Sequence, residues 1–507
     1  MVHKFAGSTS VRPQKGPHVA ESGPAASPGG TVHPGGIVGV LAVGGIVAAF
    51  MQTLVVPLIA QLPRLLDTTA SNATWVVTAT LLASAVAMPM IGRLGDLFGK
   101  RRMLLACMVP LIAGSVVCAL SSSLIPMVVG RGMQGVGMGM IPLGISALRD
   151  LLPPEKLGSS IALLSSSMGI GGAFGLPLAA VIAENTSWRV LFWGSAALSA
   201  LVAVLIFFLV PATPVQARGR FDAVGAVGLG AGLVCLLLGV SKGADWGWAS
   251  GTTIGLFAAT VVVLLAWGWW ELRIRDPLVD LRVTARPQVL LTNAASVVVG
   301  FSMYAQALIV PQLLQLPEAT GYGLGQSMVA AGLWMVPSGL VMMAVSPLGA
   351  RLSAARGPKV TLAAGSLVIA IGYGSSTVLL GAAWGLMIVT AICGMGVGLA
   401  YGAMPALIMG AVPQSETASA NSFNTLMRSV GTSVSAAVVG VVLSQLTIDL
   451  SGHVLPSENG FRAGLLIGSG VALLAAIIAL TIPGRGRAVR PAAKHAAPAG
   501  EQATFKA

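Results

Sequence analysis

Apolar stretches on the order of 20 residues, the length that crosses a hydrocarbon core, recur along this chain from residue 37 to residue 483. Polar breaks rich in Pro, Gly and charge divide them into fourteen spans, at about 37–60, 74–94, 103–121, 124–147, 157–183, 188–210, 222–243, 251–271, 288–314, 324–346, 360–380, 385–410, 418–446 and 461–482. Inside a bilayer each backbone N–H and C=O must find its partner within its own segment, so the spans are expected to be helices. Only 9% of the residues are charged, where a soluble domain carries roughly a quarter. The expected fold class is an all-α polytopic membrane protein with 14 transmembrane helices.

The net charge of +13 would suit a nucleic-acid binder, but its distribution argues against one. Threaded through fourteen spans, the lysines and arginines fall on one side except Arg64, Arg189, Lys242 and Arg462. Arg131 and Arg428 fall inside spans. Such asymmetry is the positive-inside pattern, and it puts both termini in the cytoplasm; the membrane expected for such a chain is the cytoplasmic (inner) one. Residues 1–36 are rich in Gly, Pro, Ser and His without an apolar core. They read as a disordered cytoplasmic tail, not a cleavable signal peptide. Residues 484–507 read as a second cytoplasmic tail.

The four cysteines, Cys107, Cys118, Cys235 and Cys393, lie in spans and show no CxxC spacing, so no disulfide framework or metal site is expected. All five histidines fall outside the spans, and no span carries paired carboxylates or a Ser/His arrangement. Both facts argue against a membrane-embedded enzyme, and no cofactor is expected.

Between spans 2 and 3 runs Gly92-Arg93-Leu94-Gly95-Asp96-Leu97-Phe98-Gly99-Lys100-Arg101-Arg102, read as a compact charged loop. It resembles the signature loop of the major facilitator superfamily: a glycine, a leucine two on, an aspartate two after that, a glycine three later, then basic residues. Gly92, Leu94, Asp96, Gly99, Lys100 and Arg101 fit, and Arg93 lies within the same loop. A degenerate second copy follows span 10, where Arg351, Leu352, Gly357 and Lys359 overlay Arg93, Leu94, Gly99 and Arg101, and Ala354 stands opposite Asp96. Duplication points to two six-span halves, 37–211 and 287–483, with 222–271 as two inserted spans. The arrangement resembles the fourteen-span drug:proton antiporter branch of that superfamily. The resemblance implies that Asp96 docks against cytoplasmic helix ends of the second half in an outward-open state.

Span 4 carries Arg131, Gln134 and Gly135, which resembles the family's arginine-bearing span. An arginine at a bilayer centre costs at least ~2.5 kcal/mol on insertion scales. Arg131 is therefore expected to face the bundle interior and mark a translocation pathway; the alternative is an arginine snorkelling to the outer surface. Span 5 reads Gly171-Gly172-Ala173-Phe174-Gly175-Leu176-Pro177, similar to the family's glycine-rich antiporter motif, with Leu176 set between Gly175 and Pro177. For Gly171, Gly175 and Pro177 the expected role is close helix packing. In span 1 the branch has an aspartate shortly before a threonine, and a later Pro; here Thr53 and Pro57 are kept and Gln52 is read as standing in place of the acid. Gln52 and Arg131 have similar depths and are expected to face each other across a cavity. A glutamine cannot carry a proton. The sixteen acids lie in tails or near span ends. The remaining proton-carrier candidates are Glu184 and Glu318 at outer ends and Asp150 at the inner end of span 4. Arg428, inside span 13, is placed at the cavity or at the cytoplasmic gate.

These readings lead to an exporter of small organic compounds, drugs or metabolites, working by alternating access. Family resemblance implies drive by the proton-motive force. Gln52 favours the alternative of an uncoupled facilitator or anion-linked exchanger of the same fold. Expected partners are a small-molecule substrate, the lipid bilayer and protons; nucleic acid is not among them, and a monomer is expected. Two intramembrane arginines without an acid at their depth favour an anionic or acceptor-rich substrate.

Overall fold

The computed structural model describes residues 34–58, 61–212, 215, 217, 219–450 and 453–483. The two expected tails lie outside the described residues, apart from Pro34, Gly35 and Gly36, which open the first helix. The long helices are α1 Pro34–Thr53, α2 Trp75–Phe98, α3 Lys100–Leu120, α4 Leu124–Gly137, α5 Met140–Leu151, α6 Pro154–Asn185, α7 Arg189–Leu209, α8 Ala223–Trp246, α9 Gly251–Glu271, α10 Pro287–Gln315, α11 Met328–Arg356, α12 Pro358–Leu379, α13 Ala383–Ala411, α14 Thr417–Gln445 and α15 Glu458–Thr481. Among the described residues, 13 helices are each long and apolar enough to cross a membrane.

The expected fourth span is not a single helix. It divides into α4 and α5 at Met138 and Gly139. Pro142 has no N–H to offer the Met138 carbonyl and its ring crowds that group. The chain tightens there, with the Met138 amide bonded to the Gly135 carbonyl at 3.1 Å. The glycines at the break are set by packing: a Cβ on Gly137 would lie 2.2 Å from Leu111 Cγ, and one on Gly139 would lie 2.6 Å from Ile91 Cδ1. A second departure from the all-α expectation is a small antiparallel hairpin, Thr447–Leu450 with His453–Pro456, paired Thr447↔Pro456 and Leu450↔His453.

Two apolar clusters organise the bundle. One draws on residues from Ile37 to Val210 together with Met409 and Ala418, the other on residues from Ala295 to Ile482. A third joins α8 to Ala85 of α2, Leu426 of α14 and Leu278 and Val279 of the connector after α9. The inserted helix α8 therefore rests where α2 meets α14. The other seam between the halves is α6 against α11, where Gly339 leaves no room for a Cβ beside Ala173 and the Gly169 carbonyl.

Candidate functional site

The charged motif is not a loop. Residues 92–98 are the last two turns of α2, and Gly99 alone breaks the helix, at φ 92°, before α3 begins at Lys100. A positive φ is why a glycine stands there. This geometry fixes Asp96 on a rigid helix end. Asp96 is 0% exposed. The Ala418 amide donates to its Oδ1 at 3.2 Å and the Ser419 amide to its Oδ2 at 2.9 Å. Those amides belong to the first turn of α14, whose N–H groups have no intrahelical partner and whose dipole favours an anion. The carboxylate that satisfies them comes from the other half of the chain.

Neighbouring contacts tighten the same junction. Lys100 Nζ lies 2.6 Å from Asp150 Oδ2 and 4.0 Å from Asp96 Oδ1. Arg149 donates to Thr417 Oγ1 at 2.7 Å, and Ser146 Oγ donates to the Thr417 carbonyl at 3.1 Å. A Cβ on Gly92 would stand 2.5 Å from Ser422 Oγ and 2.7 Å from the Ala418 carbonyl, so α14 crosses α2 on that glycine. Arg101 faces the other way, donating to the Phe207 carbonyl. Arg93 is buried with its Nε unpartnered, and it lines a cleft of about 210 Å³ with Arg275, Asp276, Asp280 and Glu416. In the second copy of the motif Gly357 has φ 90°, but with Ala354 in place of the acid it grips nothing comparable.

Arg131 is 1% exposed and does not snorkel. Its Nε donates to the Val76 carbonyl at 3.2 Å, and its Nη1 to the Met51 carbonyl at 3.0 Å and to Gln134 Oε1 at 2.7 Å. Gln134 Nε2 in turn donates to Ser115 Oγ at 2.8 Å. One guanidinium thus ties α1, α2 and α4 together, with α3 held through Gln134. The expected face-to-face pair with Gln52 is not formed: Gln52 is exposed, and Arg131 holds the backbone of its neighbour instead. Thr53 turns its hydroxyl back to the Phe50 carbonyl. A Cβ on Gly175 would lie 2.1 Å from Thr53 Oγ1, and one on Gly171 would lie 2.2 Å from the Ile46 carbonyl, so both glycines seat α1 on α6. Pro177 meets α11 at Gly332.

The proton-carrier candidates do not converge on a cavity. Glu184 and Glu318 are exposed, and Asp150 is spent on Lys100. Arg428 is different. It is 7% exposed, its guanidinium lies 4.4 Å from the centre of the Tyr401 ring, and its Nη2 makes a 3.5 Å contact to Thr425 Oγ1. Together with Ser165, Met168 and Asn421 these residues line a cavity of about 10 Å³ between α5, α6, α13 and α14, room for about one water. Ser165 Oγ and Asn421 Oδ1 are buried there without a hydrogen-bond partner. Tyr401, Ser165, Asn421 and Thr425 escaped sequence reasoning. A signal existed for two of them: Asn421, Thr425 and Arg428 stand at i, i+4 and i+7 on one face of α14.

The sequence model of the Major Facilitator Superfamily matches residues 41–436. Relatives include an uncharacterized MFS-type transporter, YhcA, of Bacillus subtilis, 27% identical over 66% of this chain and 62% of its own length. The chain covers 42% of the length of an uncharacterized MFS-type transporter of Mycobacterium tuberculosis to which it is 31% identical. The tetracenomycin C resistance and export protein of Streptomyces glaucescens is 27% identical over 81% of this chain and 76% of its own. Among solved structures, the human organic anion transporter MFSD10 superposes with a TM-score of 0.61 at 15% identity, covering 88% of this chain and 99% of that one. A proton:xylose symporter also superposes at 0.61 and 15% identity, covering 89% and 96%.

Proposed function

The chain belongs to the Major Facilitator Superfamily, a multi-pass integral membrane protein that carries small molecules, and we propose that it exports anionic or acceptor-rich organic compounds by alternating access. The observation that carries the substrate class is Arg428. It is an intramembrane cation at the seam of the two halves, stacked on Tyr401 with no carboxylate beside it among the described residues. Export is the direction suggested by relatives such as the tetracenomycin resistance and export protein. The junction of Asp96 with α14 closes the end that carries the basic residues, which the positive-inside pattern assigns to the cytoplasm. In this reading the molecule is outward-facing, and transport requires α2 and α5 to part from α14.

A second reading, a facilitator or anion-linked exchanger, is favoured by Gln52 and by the lack of an acid among the residues that line the small cavity beside Arg428. Flux in proteoliposomes, with and without a pH gradient and with matched anionic and cationic aromatic compounds, tests both. Losing one charge-assisted contact is worth about 1.5–3 kcal/mol. Arg428→Gln is therefore expected to raise KM for anions roughly 10- to 100-fold, with Arg428→Lys intermediate. Transport of cations alone, unaffected by Arg428→Gln, would overturn the assignment.

A further inference from the structure

The inserted hairpin carries a pair of buried carboxylates that the gate and the cavity do not use. Asp222 caps the start of α8, accepting from the Gly225 amide at 2.9 Å. Glu271 is the last residue of α9. They are 5% and 3% exposed. Both converge on Gly225: Asp222 Oδ2 lies 2.1 Å and Glu271 Oε1 2.6 Å from the position a Cβ would take there, so the two oxygens are no farther apart than those distances combined. Each carboxylate has its own indole donor. Trp270 Nε1 donates to Asp222 Oδ2 at 3.1 Å, and Trp267 Nε1 donates to Glu271 Oε1 at 2.9 Å. Glu271 Oε2 is buried and accepts no hydrogen bond of good geometry, although the Leu278 and Val279 amides lie against the carboxylate.

No basic side chain among the described residues forms an ion pair with either acid. Arg273 stacks on Trp269, at 3.9 Å from its ring centre. Arg282 donates to the Leu272 carbonyl, and Asp276 accepts from the Arg220 amide. Arg275 and Asp280 line the cleft of the connector. On α2, Arg93 faces that cleft and Asp96 is held by α14, while Glu416 before α14 also lines the cleft. Two adjacent buried carboxylates without a cation cannot both stay ionised cheaply. A metal ion is a poor occupant, because no group of three or more His, Cys, Asp or Glu side chains is assembled among the described residues.

We propose that Asp222 and Glu271 bind one proton between them, making the inserted hairpin a proton site on the cytoplasmic side. The proton adds to one carboxylate and leaves the pair with a single negative charge. Its reach to the gate is short. The backbone of Leu278 and Val279 approaches Glu271, Ser419 Oγ donates to the Leu278 carbonyl at 3.1 Å, and the Ser419 amide holds Asp96. Loss of the proton sets two like charges against each other and strengthens the pull of Glu271 on the Leu278 and Val279 amides, so the connector beneath the gate is held differently in the two protonation states. The proton site itself is independent of the exporter reading; its link to the gate rests on it.

The test is infrared difference spectroscopy of the full chain in lipid nanodiscs, titrated with pH. A protonated-carboxyl C=O band is expected to titrate in the wild type and to vanish in both Glu271→Gln and Asp222→Asn. Trp270→Phe, which takes a donor from Asp222 and leaves both acids, should move the titration of the band to higher pH and serves if either substitution fails to fold. A band that survives both substitutions, or a titration unmoved by Trp270→Phe, overturns the site. Flux at equal pH on both faces should vary with pH in the wild type and lose that dependence in Glu271→Gln; an unchanged profile overturns the link to the gate. Because the band is read without substrate, failure to transport any compound tried would count against the exporter reading alone.

Discussion

Asp96→Asn isolates the gate, because it changes one buried group and nothing of the shape. The carboxylate accepts two amide hydrogen bonds from α14, at 3.2 and 2.9 Å, at 0% exposure. An asparagine keeps one acceptor oxygen and turns an NH2 toward the second amide, so one bond is replaced by two donors facing each other. A hydrogen bond to a charged group is worth about 1.5–3 kcal/mol, and the helix-dipole contribution of a partly buried anion adds up to about 2 kcal/mol. Lys100 is not orphaned, since Asp150 stands 2.6 Å from it. Taking about 2 kcal/mol as the net loss, the closed cytoplasmic end is disfavoured roughly 30-fold relative to the open one, at about 1.4 kcal/mol per tenfold. These bonds exist only while α2 and α14 touch, so the loss falls on one conformer and not on folding. Distance distributions between spin labels at the cytoplasmic ends of the two halves, alongside flux and thermal unfolding of the same preparation, measure it. The expected result is a shift toward the inward-open distance, slower flux and an unfolding midpoint close to that of the wild type. A well-expressed variant with wild-type distances and rates would refute the reasoning, and so would a large drop in unfolding temperature.

Gly92→Ala should act in the same direction, because its Cβ meets the Ala418 backbone at 2.7 Å; overpacking of this kind costs about 1–3 kcal/mol, and combined with Asp96→Asn the effect on the label distances should be less than additive. Arg131→Lys loses the planar fork that serves Val76, Met51 and Gln134; the expected cost is about 2–4 kcal/mol of stability, seen as a lower unfolding temperature with KM unchanged. Gln52→Asp should strengthen the dependence of flux on an imposed pH gradient, which is expected to be weak in the wild type. Strong wild-type dependence that persists when Glu184, Glu318 and Asp150 are neutralised in turn would mean that the carrier lies elsewhere.

Helix existence and order were legible from apolar length alone, since a lipid-facing segment answers to one constraint. Breaks inside spans were not. Nothing in the hydropathy of residues 124–147 distinguishes a continuous helix from α4 and α5; the division depends on Pro142 and on how closely Leu111 and Ile91 approach Gly137 and Gly139. The docking of Asp96 was legible only through the resemblance of its motif to the superfamily's signature; the charge alone names no partner. The partnership of Gln52 with Arg131 was inferred from depth, and depth carries no information about azimuth around a helix. In the sequence Asp222 and Glu271 are two span-end acids among the sixteen. They are far apart in sequence, and only the turn that folds α9 back along α8 brings them together on Gly225.

Arg131 and Arg428 show why a buried charge cannot be assigned from its position in a span. Both are arginines of similar burial, 1% and 7% exposed, and neither forms a salt bridge with an acid among the described residues. What separates them is how many of their donors are spent. Arg131 directs Nε and Nη1 at two carbonyls and a glutamine oxygen, which solvates the charge within one half and leaves it in place whether the halves open or close. Arg428 has one 3.5 Å contact and an aromatic face, and the Tyr401 ring that it covers belongs to a different helix of the second half. A guanidinium solvated by fixed carbonyls is a fastener. One that still has free donors, at a seam lined by unpartnered Ser165 and Asn421 oxygens, is arranged to be completed by something else. In a bundle with so little charge, that difference in unspent hydrogen bonds is the reason for proposing Arg428, and not Arg131, as the cation that meets substrate.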